Sequence, residues 1–521
     1  MEYSVIFAQK WWQQYYPFIF SVFLLLLPLV FLIKFTKKKK QTLPSPPKLP
    51  LIGNLHQIGI LPHRSLHALS SKYGPLMLLH FDQAPTLVVS SVKLAQEILK
   101  NHDVTFAGRP RTRAMDSIFY GCTDIAFSPY GEYWRQVKKI AVLELLSQKR
   151  VQSYQSVREE LVTDMLEKVR VSSAKGATVD LSDMFHSLSN NMICRTALGR
   201  IYEREGGDKS FGVLIKKTVE LIGTFCFKDM IPSLGWVDYL NGFVSTLKNN
   251  CDALHDFLGQ LIDEHKAMNN VVDILLHLQK EGSIGIDLSK ENLIAILVEL
   301  FVGGTDTTAI TMGWTMAEII KNPSVMRRAQ EEVRRIVGKK SKVTEADVNQ
   351  MVYLKSILKE TLRLHSVAAM ISRETCAACK LDGYEIPANT RVFINAFTIQ
   401  RDPEIWKNPE EFNPERFSES LVDFKGQHAQ FIPFGGGRRI CPGLAFAVVE
   451  VELVLANLLY WFDWKVPNGE NAEDLDMDEL YALIVRKQTP LVLVPKLYFS
   501  MVTGREGIQI NNTKFKLIKS I

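Results

Sequence analysis

The stretch that decides the fold is Phe431–Gly443, which reads FIPFGGGRRICPG. Three consecutive glycines and two arginines lead into Cys441, and Pro442 follows it. Glycines let a backbone approach a flat cofactor closely, and proline suits the first turn of a helix. We therefore expect a helix to begin at Cys441, where its N-terminus and nearby donors stabilise a thiolate. Arg439 can pair with a carboxylate.

Two other interpretations of this stretch are weaker. A nucleotide-phosphate loop needs GxxxxGK[ST] or GxGxxG, and neither pattern fits residues 431–443, nor does an aspartate follow at dinucleotide spacing. A buried structural role is the usual one for a single cysteine. The surrounding glycines, arginines and proline favour a cofactor ligand instead.

The stretch resembles the haem-binding signature FxxGxRxCxG of the cytochrome P450 family. The fixed positions of that signature are all matched, by Phe434, Gly437, Arg439, Cys441 and Gly443. The resemblance implies haem b as cofactor and Cys441 as the axial ligand of its iron. In that family the thiolate supplies electron density that favours cleavage of the O–O bond.

A second segment with chemical character lies in the middle of a long apolar helix. That helix is predicted from an N-cap at Ser289 to the residue before Pro323, roughly 45 Å in length. Gly303 and Gly304 lie at its centre, where each costs about 1 kcal/mol relative to alanine. Close contact with a neighbouring helix is the simplest explanation of the glycines. An acid and two hydroxyls in the same turn favour a functional one.

This segment, GGTDTT at 303–308, resembles the [AG]Gx[DE]T[TS] motif of the same family. There a locally opened helix lies over the haem and leaves room for dioxygen and water. The resemblance implies that Thr307 hydrogen-bonds the dioxygen and that Asp306 helps to pass protons from solvent. Thr308 could simply bond back to the preceding turn.

Further matches support the resemblance. Glu360 and Arg363 alone would suggest a surface ion pair at i, i+3. With Arg416 in PERF they resemble the ExxR and PERF motifs, which implies a buried charge network behind the haem. FAGRP at 106–110 and GEYWRQVKKI at 131–140 also match the family.

The same resemblance implies partners for the haem propionates. Trp134 and Lys138 match positions that contact them, although arginine is usual at the second. Lysine can make that contact only as a point charge. Arg373 and Arg439 resemble the other propionate partners.

These motifs resemble those of the plant microsomal, A-type subgroup of the family, whose members oxidise specialised metabolites. Ser366 and Ser372 stand where that subgroup usually has prolines. Candidate pocket segments are 115–125 and 300–309, and they contain no obvious charged anchor for a substrate. The pocket residues that the resemblance implies are Leu300, Gly303, Gly304, Val367, Ile371, Leu480 and Tyr481.

The N-terminus carries a predicted membrane anchor. Residues 17–33 are almost all apolar and uncharged, and at about 1.5 Å per residue they nearly cross a hydrocarbon core of roughly 30 Å. Aromatic residues precede this run and lysines follow it, which predicts a lumenal N-terminus and a cytosolic body. A cleaved signal peptide would start with its charged end and finish at a small-residue site, and neither feature is present.

Four segments are therefore predicted: a lumenal N-terminus (1–16), a transmembrane anchor (17–35), a basic and proline-rich hinge (36–50) and a haem-thiolate catalytic domain (51–521). The fold class is mainly α with a minor β-sheet region, the cytochrome P450 fold, preceded by a single transmembrane helix. We expect a single-pass protein of the endoplasmic reticulum membrane with its domain in the cytosol.

Composition agrees with a folded enzyme and disfavours other classes. The 521 residues are 46% hydrophobic and 23% charged, which excludes disordered and collagen-like chains. Five lysines at 34–40 supply most of the net charge of +6, so a nucleic-acid partner is not expected. Seven irregularly spaced cysteines fit a reducing compartment, and the CxxC of Cys376 and Cys379 lacks the further ligands that zinc needs.

The predicted activity is monooxygenation of a small lipophilic plant metabolite, a terpenoid, an alkaloid or a phenylpropanoid-derived aromatic. The chain has no nicotinamide or flavin fingerprint, so electrons are expected from an NADPH-cytochrome P450 reductase, with Arg438 among its docking contacts. Two alternatives are an isomerase or dehydratase of the same fold that does not use O₂, and a haem-binding protein without turnover.

Overall fold

The structure is a computed structural model that describes residues 43–50, 52–81, 84–202, 211–264, 270–282, 285–469 and 471–498. The predicted lumenal segment, the anchor and residues 36–42 of the hinge lie outside the described residues. From Pro44 onward the described residues belong to one structural unit.

Helices dominate this unit, as the sequence predicted. Prolines at the first positions of several helices and glycines at their ends mark the boundaries, for example Pro62 and Gly74 (φ 99°) on either side of the first helix. The α-helices described are α1 (Pro62–Tyr73), α2 (Val92–Gln96), α3 (Arg113–Ile118), α4 (Glu132–Ile140), α5 (Gln148–Ser153), α6 (Gln155–Ala174), α7 (Leu181–Ile193), α8 (Phe211–Gly223), α9 (Phe227–Met230), α10 (Val237–Leu240), α11 (Phe243–Asp263), α12 (Val271–Glu281), α13 (Lys290–Gly304), α14 (Asp306–Lys321), α15 (Pro323–Val337), α16 (Glu345–Val348), α17 (Val352–Leu364), α18 (Ala396–Ile399) and α19 (Leu444–Trp461).

The strands form a small β region beside the helices. They are β1 (Leu76–Phe81), β2 (Ala84–Val89), β3 (Val179–Asp180), β4 (Met370–Glu374), β5 (Cys379–Leu381), β6 (Tyr384–Ile386), β7 (Arg391–Asn395), β8 (Phe462–Lys465), β9 (Glu479–Tyr481), β10 (Val485–Lys487) and β11 (Val492–Leu497). The main sheet has the order β1-β2-β7-β4, with β2 and β7 parallel and the outer pairs antiparallel. Smaller sheets join β3-β11-β8, β9-β10 and β5-β6.

Strand β4 carries an alternating pattern with a direct consequence for the site. Ile371 and Arg373 are buried, whereas Met370, Ser372 and Glu374 are only partly buried. Because alternate side chains of a strand point to the same face, Arg373 is carried into the interior beside Ile371. Residue Arg373 pairs with Val392 of β7, which fixes its position along the sheet.

The core is built around α13, α14 and α19. Leu293 to Val298 of α13 and Leu453 to Leu459 of α19 are almost completely buried, since these helices are apolar on nearly every face. Among the described residues, 290–321 and 444–461 are each long and apolar enough to cross a bilayer, with a mean hydropathy of 1.7, but both are mainly buried within this unit. They are core helices of the domain.

The predicted long helix is interrupted. Its N-cap is Ser289, as predicted, and the hydroxyl accepts a hydrogen bond from the amide of Asn292 at 3.3 Å. Regular helix stops at Gly304 and resumes at Asp306, with Thr305 between the two parts (φ −80°, ψ −71°). The expectation of one continuous helix is therefore corrected to two helices that meet within the GGTDTT segment.

Candidate active site

Cys441 lies in a tight loop before α19. Its amide donates to the carbonyl oxygen of Phe434 at 3.0 Å, which closes the loop. Gly437 has φ 63°, and a Cβ there would lie 2.5 Å from Asp103 Oδ1 and 2.6 Å from the Leu99 carbonyl oxygen, so only glycine fits. The prediction that a helix begins at Cys441 is wrong by three residues, because α19 begins at Leu444.

The turn before α19 still directs amides at the sulfur. Burial raises the pKa of the Cys441 thiol, while hydrogen bonds from the amides of Gly443 and Leu444 and the charge of Lys138 lower it. The side chain of Cys441 has an accessible surface. Protein atoms nevertheless surround the sulfur densely enough for burial to be the main influence on its pKa. Both observations hold if the sulfur lines an internal space. A bound cation would strengthen its acidity decisively.

Cationic side chains converge around this cysteine. Burial is the main reason that the pKa of Arg373 falls well below that of an ordinary arginine, and the charges of Arg109 and Arg439 lower it further. Burial also lowers the pKa of Arg109 to about 10, that of Arg439 to about 9 and that of Lys138 to about 8. Burial, together with repulsion from neighbouring arginines at Arg439 and Lys138, opposes the charges of these side chains, and the acidic neighbours Asp124 and Glu299 offset this only in part. A further anion would therefore stabilise the cluster.

Backbone carbonyls satisfy only part of this cluster. Arg439 donates to the carbonyl oxygens of Ala107 at 2.8 Å and Ser128 at 2.6 Å, and Lys138 donates to that of Ile440 at 2.7 Å. Arg109 donates to the carbonyl of Ser372, but its buried Nε has no hydrogen-bond partner among the described residues. A carboxylate-bearing, flat cofactor beside the thiol fits these donors. The residues present therefore fit haem with its two propionates.

Arg109 was not assigned a role from the sequence. It lies in FAGRP, a stretch that matched the family, so the sequence contained a signal for it. Trp134 is placed close by: its ring lies under the guanidinium of Arg439 at 4.1 Å, and its Nε1 donates to the Ile125 carbonyl oxygen at 2.9 Å.

An acidic pair beside this cationic cluster, close enough to Arg109 and Arg439 to raise their pKa values, was also missed. Burial raises the pKa of Glu299 well above 4.5, and the neighbouring charge of Asp124 raises it further. Glu299 accepts a hydrogen bond from the amide of Ile125 at 2.5 Å. Asp124, with its own pKa raised to about 6 by burial, caps the same loop through the amides of Ala126 and Phe127. The sequence contained a signal for Glu299, because it is an acidic residue in the centre of an apolar helix.

The two glycines of the helix interruption have different surroundings. A Cβ at Gly304 would lie 2.6 Å from Cδ1 of Ile193 on α7, so close helix contact explains this glycine. A Cβ at Gly303 would meet no atom within 4 Å, so this glycine faces open space. Only Gly303 thus has the surroundings expected of a pocket residue.

The hydroxyls and the acid of this segment are also separated. Thr307 is partly buried and its hydroxyl donates to the Gly303 carbonyl oxygen at 2.6 Å, whereas Thr308 is buried. The back-bonding considered for Thr308 is thus made by Thr307. Asp306 points elsewhere: its Oδ1 lies 3.0 Å from Nε2 of His186 on α7.

Glu360, Arg363 and Arg416 form a buried network. The Glu360 carboxylate accepts hydrogen bonds from Nε and an NH₂ group of Arg363, both at 2.8 Å, and from Nε of Arg416 at 2.9 Å. Arg363 also donates to the carbonyl oxygens of Gln400 and Pro409. Since every charge has several partners, the network ties α17 to the segment 400–416 that leads towards the Cys441 loop.

The other expected pocket residues differ in their burial. Val367 and Ile371 are buried, and Leu300 is partly buried. Leu480 is exposed, whereas Tyr481 packs on the cluster of Ala369, Phe397 and Val485. These two residues are neighbours in β9 and face opposite sides.

A cleft of about 720 Å³ includes Asp116 and Ser117 of the expected pocket segment 115–125 but none of the other expected pocket residues. It lies between α3 and residues 228–251, and charged side chains such as Arg111, Lys228 and Lys248 line it. The amide of Arg113 donates to both carboxylate oxygens of Asp229 across this region, at 3.0 and 3.1 Å. Neither Cys441 nor Thr307 lines the cleft, so we assign the chemistry to the cysteine site instead.

Comparison with known proteins decides the family. The family model for cytochrome P450 matches residues 43–494. The chain belongs to the cytochrome P450 family. This P450 is 53% identical to cytochrome P450 71A1 of Persea americana, over 86% of this chain and 92% of that protein. It is 49% identical to a phenylacetaldehyde oxime monooxygenase of Prunus mume, over 88% and 90% of the two chains.

A solved structure of a zebrafish cytochrome P450 with progesterone has the same fold. Its TM-score is 0.72 at 26% identity, covering 84% of this chain and 99% of the fish protein. The predictions of a plant A-type P450, its fold, its haem b cofactor and its monooxygenase activity on specialised metabolites are confirmed. Such an enzyme requires O₂, a small-molecule substrate and a redox partner. The isomerase and non-catalytic alternatives are not supported.

Proposed function

We propose that this P450 inserts one atom of O₂ into a small lipophilic plant metabolite at the site beside Cys441. The observation that carries the proposal is the buried, mutually repelling cluster of Arg109, Arg373 and Arg439 next to a thiol that faces open space. Such a cluster is unfavourable by itself and is relieved by a dianionic cofactor. Haem, when bound, supplies the activation of dioxygen.

The chain's own residues then hold and orient the cofactor. Cys441 would hold the haem iron through its sulfur, and the amides of Gly443 and Leu444 would stabilise the negative charge of the thiolate. Arg109, Arg373, Arg439 and Lys138 hold the two carboxylates, with Trp134 supporting Arg439. Phe434 and Gly437 shape the loop around the sulfur.

Asp306 and Thr307 are proposed to supply protons from the opposite side. Both residues lie at the start of α14 after the interruption at Thr305, where Thr307 contacts Gly303 and Asp306 faces His186. Thr307 holds its hydroxyl on the Gly303 carbonyl oxygen, which orients the lone pairs of that hydroxyl. Positioned hydroxyl and carboxyl groups are suited to proton delivery.

The substrate is proposed to be mainly apolar and to carry one hydrogen-bonding group. Leu300, Val367 and Ile371 offer apolar surface, with Gly303 leaving room beside them. Glu299 precedes Leu300 and is the polar group that the sequence did not suggest. The raised pKa of Glu299 keeps it in the protonated form over a wider pH range, so it can both donate and accept.

Electrons are proposed to come from an NADPH-cytochrome P450 reductase that docks on the cysteine side. Arg135 and Lys139 of α4 are exposed there, and Arg438 is partly exposed while pairing with Asp103 at 2.8 Å. Basic side chains of this kind suit an acidic partner surface.

The protein is proposed to lie on the endoplasmic reticulum membrane with its catalytic domain in the cytosol, held by residues 17–35. Within the described residues, the segment 225–240 supports contact with a bilayer. It exposes Phe225, Trp236, Tyr239 and Leu240 at 46%, 58%, 64% and 77%, a density of apolar surface that is unusual for a soluble face. Aromatic side chains favour membrane interfaces.

The test uses full-length protein in microsomes with a plant reductase and NADPH. Panels of terpenoids, alkaloids and phenylpropanoid-derived aromatics are screened by mass spectrometry for products that gain one oxygen atom. We expect such a product from the wild type, and none from Cys441→Ala, which also loses the thiolate-type Soret band of the reduced carbon-monoxide complex. Cys379→Ala is the matched control and keeps both. A thiolate-type band in Cys441→Ala would refute the assignment of the ligand.

A further inference from the structure

His186 connects the acid of the helix interruption to solvent. Its Nε2 lies 3.0 Å from Oδ1 of Asp306, and the two side chains are 40% and 21% exposed. Among the described residues, no other ion pair or side-chain hydrogen bond engages the Asp306 carboxylate. The pair therefore joins an outer group in contact with water to an inner group at the helix interruption.

Helix contact fixes this geometry. His186 lies on α7, and α7 packs along α14, whose first residue is Asp306. Seven residues further along α7, Ile193 occupies the position that a side chain at residue 304 would need. Since two turns of α7 are held against the interruption, helix packing brings His186 and Asp306 together, and their Nε2 and Oδ1 atoms lie 3.0 Å apart.

We propose that His186 is the outer group of a proton path to the active site. The proposal rests on the proposed role of Asp306. Imidazole exchanges protons with water near neutral pH and can donate through one nitrogen, so it suits this position. His186 passes the proton on Nε2 to Oδ1 of Asp306, Asp306 releases one inward, and the exposed imidazole regains one from water. Neither residue changes its charge over one cycle.

The reaction consumes the protons that this path delivers. Monooxygenation combines RH, O₂, two electrons and two protons into ROH and H₂O. Without an organic substrate, O₂ takes four electrons and four protons to give two H₂O, or two electrons and two protons to give H₂O₂. Slow inward proton transfer is expected to shift the balance towards H₂O₂, so the water yield measures the path without an identified substrate.

The experiment compares His186→Gln with the wild type in the presence of reductase, NADPH and O₂ alone. Glutamine keeps a hydrogen-bond donor for Asp306 but cannot relay a proton. We expect the fraction of electrons that end in water to fall about threefold or more, a modest part of what general acid catalysis contributes, because water can partly replace the side chain. Asp306→Asn is expected to lower the fraction of electrons that end in water at least as far. The double variant should lower this fraction no further than Asp306→Asn alone.

The control is His277→Gln, which changes another exposed histidine that pairs with a carboxylate on its own helix. It should leave the water yield unchanged. A second readout does not depend on turnover: in ¹⁵N-histidine NMR, the Nε2–H proton of His186 should show a hydrogen bond that Asp306→Asn removes.

The outcomes separate the path from the proposed function. If His186→Gln retains the wild-type water yield while keeping its haem content, the proton path is wrong and the pair merely ties α7 to α14. If the NMR hydrogen bond is absent in the wild type, the path is also refuted. A failure of the cysteine assignment would instead appear in the Soret band of the reduced carbon-monoxide complex, which both histidine variants should preserve.

Discussion

At the scale of single residues, Arg373 shows how a side chain can be unfavourable for the apoprotein and still belong to the site. It is buried on the inner face of β4, and burial together with the charges of Arg109 and Arg439 lowers its pKa well below that of an ordinary arginine. A buried cation without sufficient counter-charge destabilises a fold. The same arrangement binds a carboxylate strongly, because the guanidinium group of Arg373 has already lost its water on folding.

We therefore predict opposite effects of Arg373→Gln on the two forms of the protein. The apoprotein should be as stable as the wild type or more stable, since repulsion within the cluster is reduced. Haem affinity should fall roughly tenfold or more, equivalent to about 1.4 kcal/mol for each factor of ten. Thermal unfolding of haem-free protein and transfer of haem to an acceptor protein measure the two effects.

Arg391→Gln provides the comparison, because Arg391 lies on the adjacent strand β7 opposite Glu374. Its pKa is lowered by burial but raised by Asp229 and Glu374, so this arginine already has acidic neighbours. Its loss should leave haem transfer unchanged. Equal haem retention in Arg373→Gln and the wild type would contradict the propionate assignment.

At the scale of helices, the junction of α13 and α14 combines two glycines with separate functions. Gly304 allows α7 to approach, and Gly303 leaves space on the site side. Thr305 lies between the helices with its hydroxyl buried and without a hydrogen-bond partner among the described residues. The junction is thus shaped by its neighbours on both sides rather than by helix propensity, which would favour alanine at both glycines.

Alanine substitutions should separate these two functions. Gly304→Ala is expected to lower the unfolding free energy by about 1–3 kcal/mol, because the new methyl group meets Ile193. Gly303→Ala is expected to be neutral or stabilising by up to about 1 kcal/mol, while reducing turnover by filling space in the site. Thermal unfolding and NADPH-supported product formation distinguish the two variants.

Ile193→Val tests the cause, because it removes the Cδ1 atom that the new methyl group would meet. In the double variant most of the loss caused by Gly304→Ala should be recovered, beyond the sum of the single effects. Additive losses would show that the glycine is needed for another reason.

At the scale of the whole molecule, buried acids of α19 make stability depend on pH. Burial raises the pKa of Glu450 from 4.5 to about 7, although Ser189 on α7 donates a hydrogen bond to it at 2.8 Å. Burial likewise raises the pKa of Glu452 to about 7. Folding therefore favours the protonated carboxyls. Their contribution to stability is complete below about pH 4.5 and is lost as pH rises through about 7.

Glu450→Gln should remove its share of this pH dependence, since glutamine stays neutral and can still accept from Ser189. At pH 5 its unfolding temperature should match that of the wild type. At pH 8 the variant should be more stable, by up to roughly 3 kcal/mol for a shift of this size. Glu419→Gln, at an exposed position, is the control. A stability difference that does not grow between pH 5 and pH 8 would contradict the assignment.

The sequence alone determined the elements whose information is local. The spacing around Cys441 identified the haem loop, and the resemblance of GGTDTT to a family motif implied a locally opened helix, although the residue patterns alone predicted a continuous one. Ser289 and Pro323 marked helix ends. In each case residues within one turn or one strand decide the backbone, so their order along the chain is sufficient.

Only the tertiary structure decided which distant residues meet. Three such pairs are more than one hundred residues apart in the sequence: Arg109 and Arg373, Glu299 and Ile125, and His186 and Asp306. It also decided which of two adjacent glycines faces the site. The physical reason is that such contacts depend on how whole helices and strands pack, which fixes burial, charge proximity and open space together, and none of these is encoded in a local pattern.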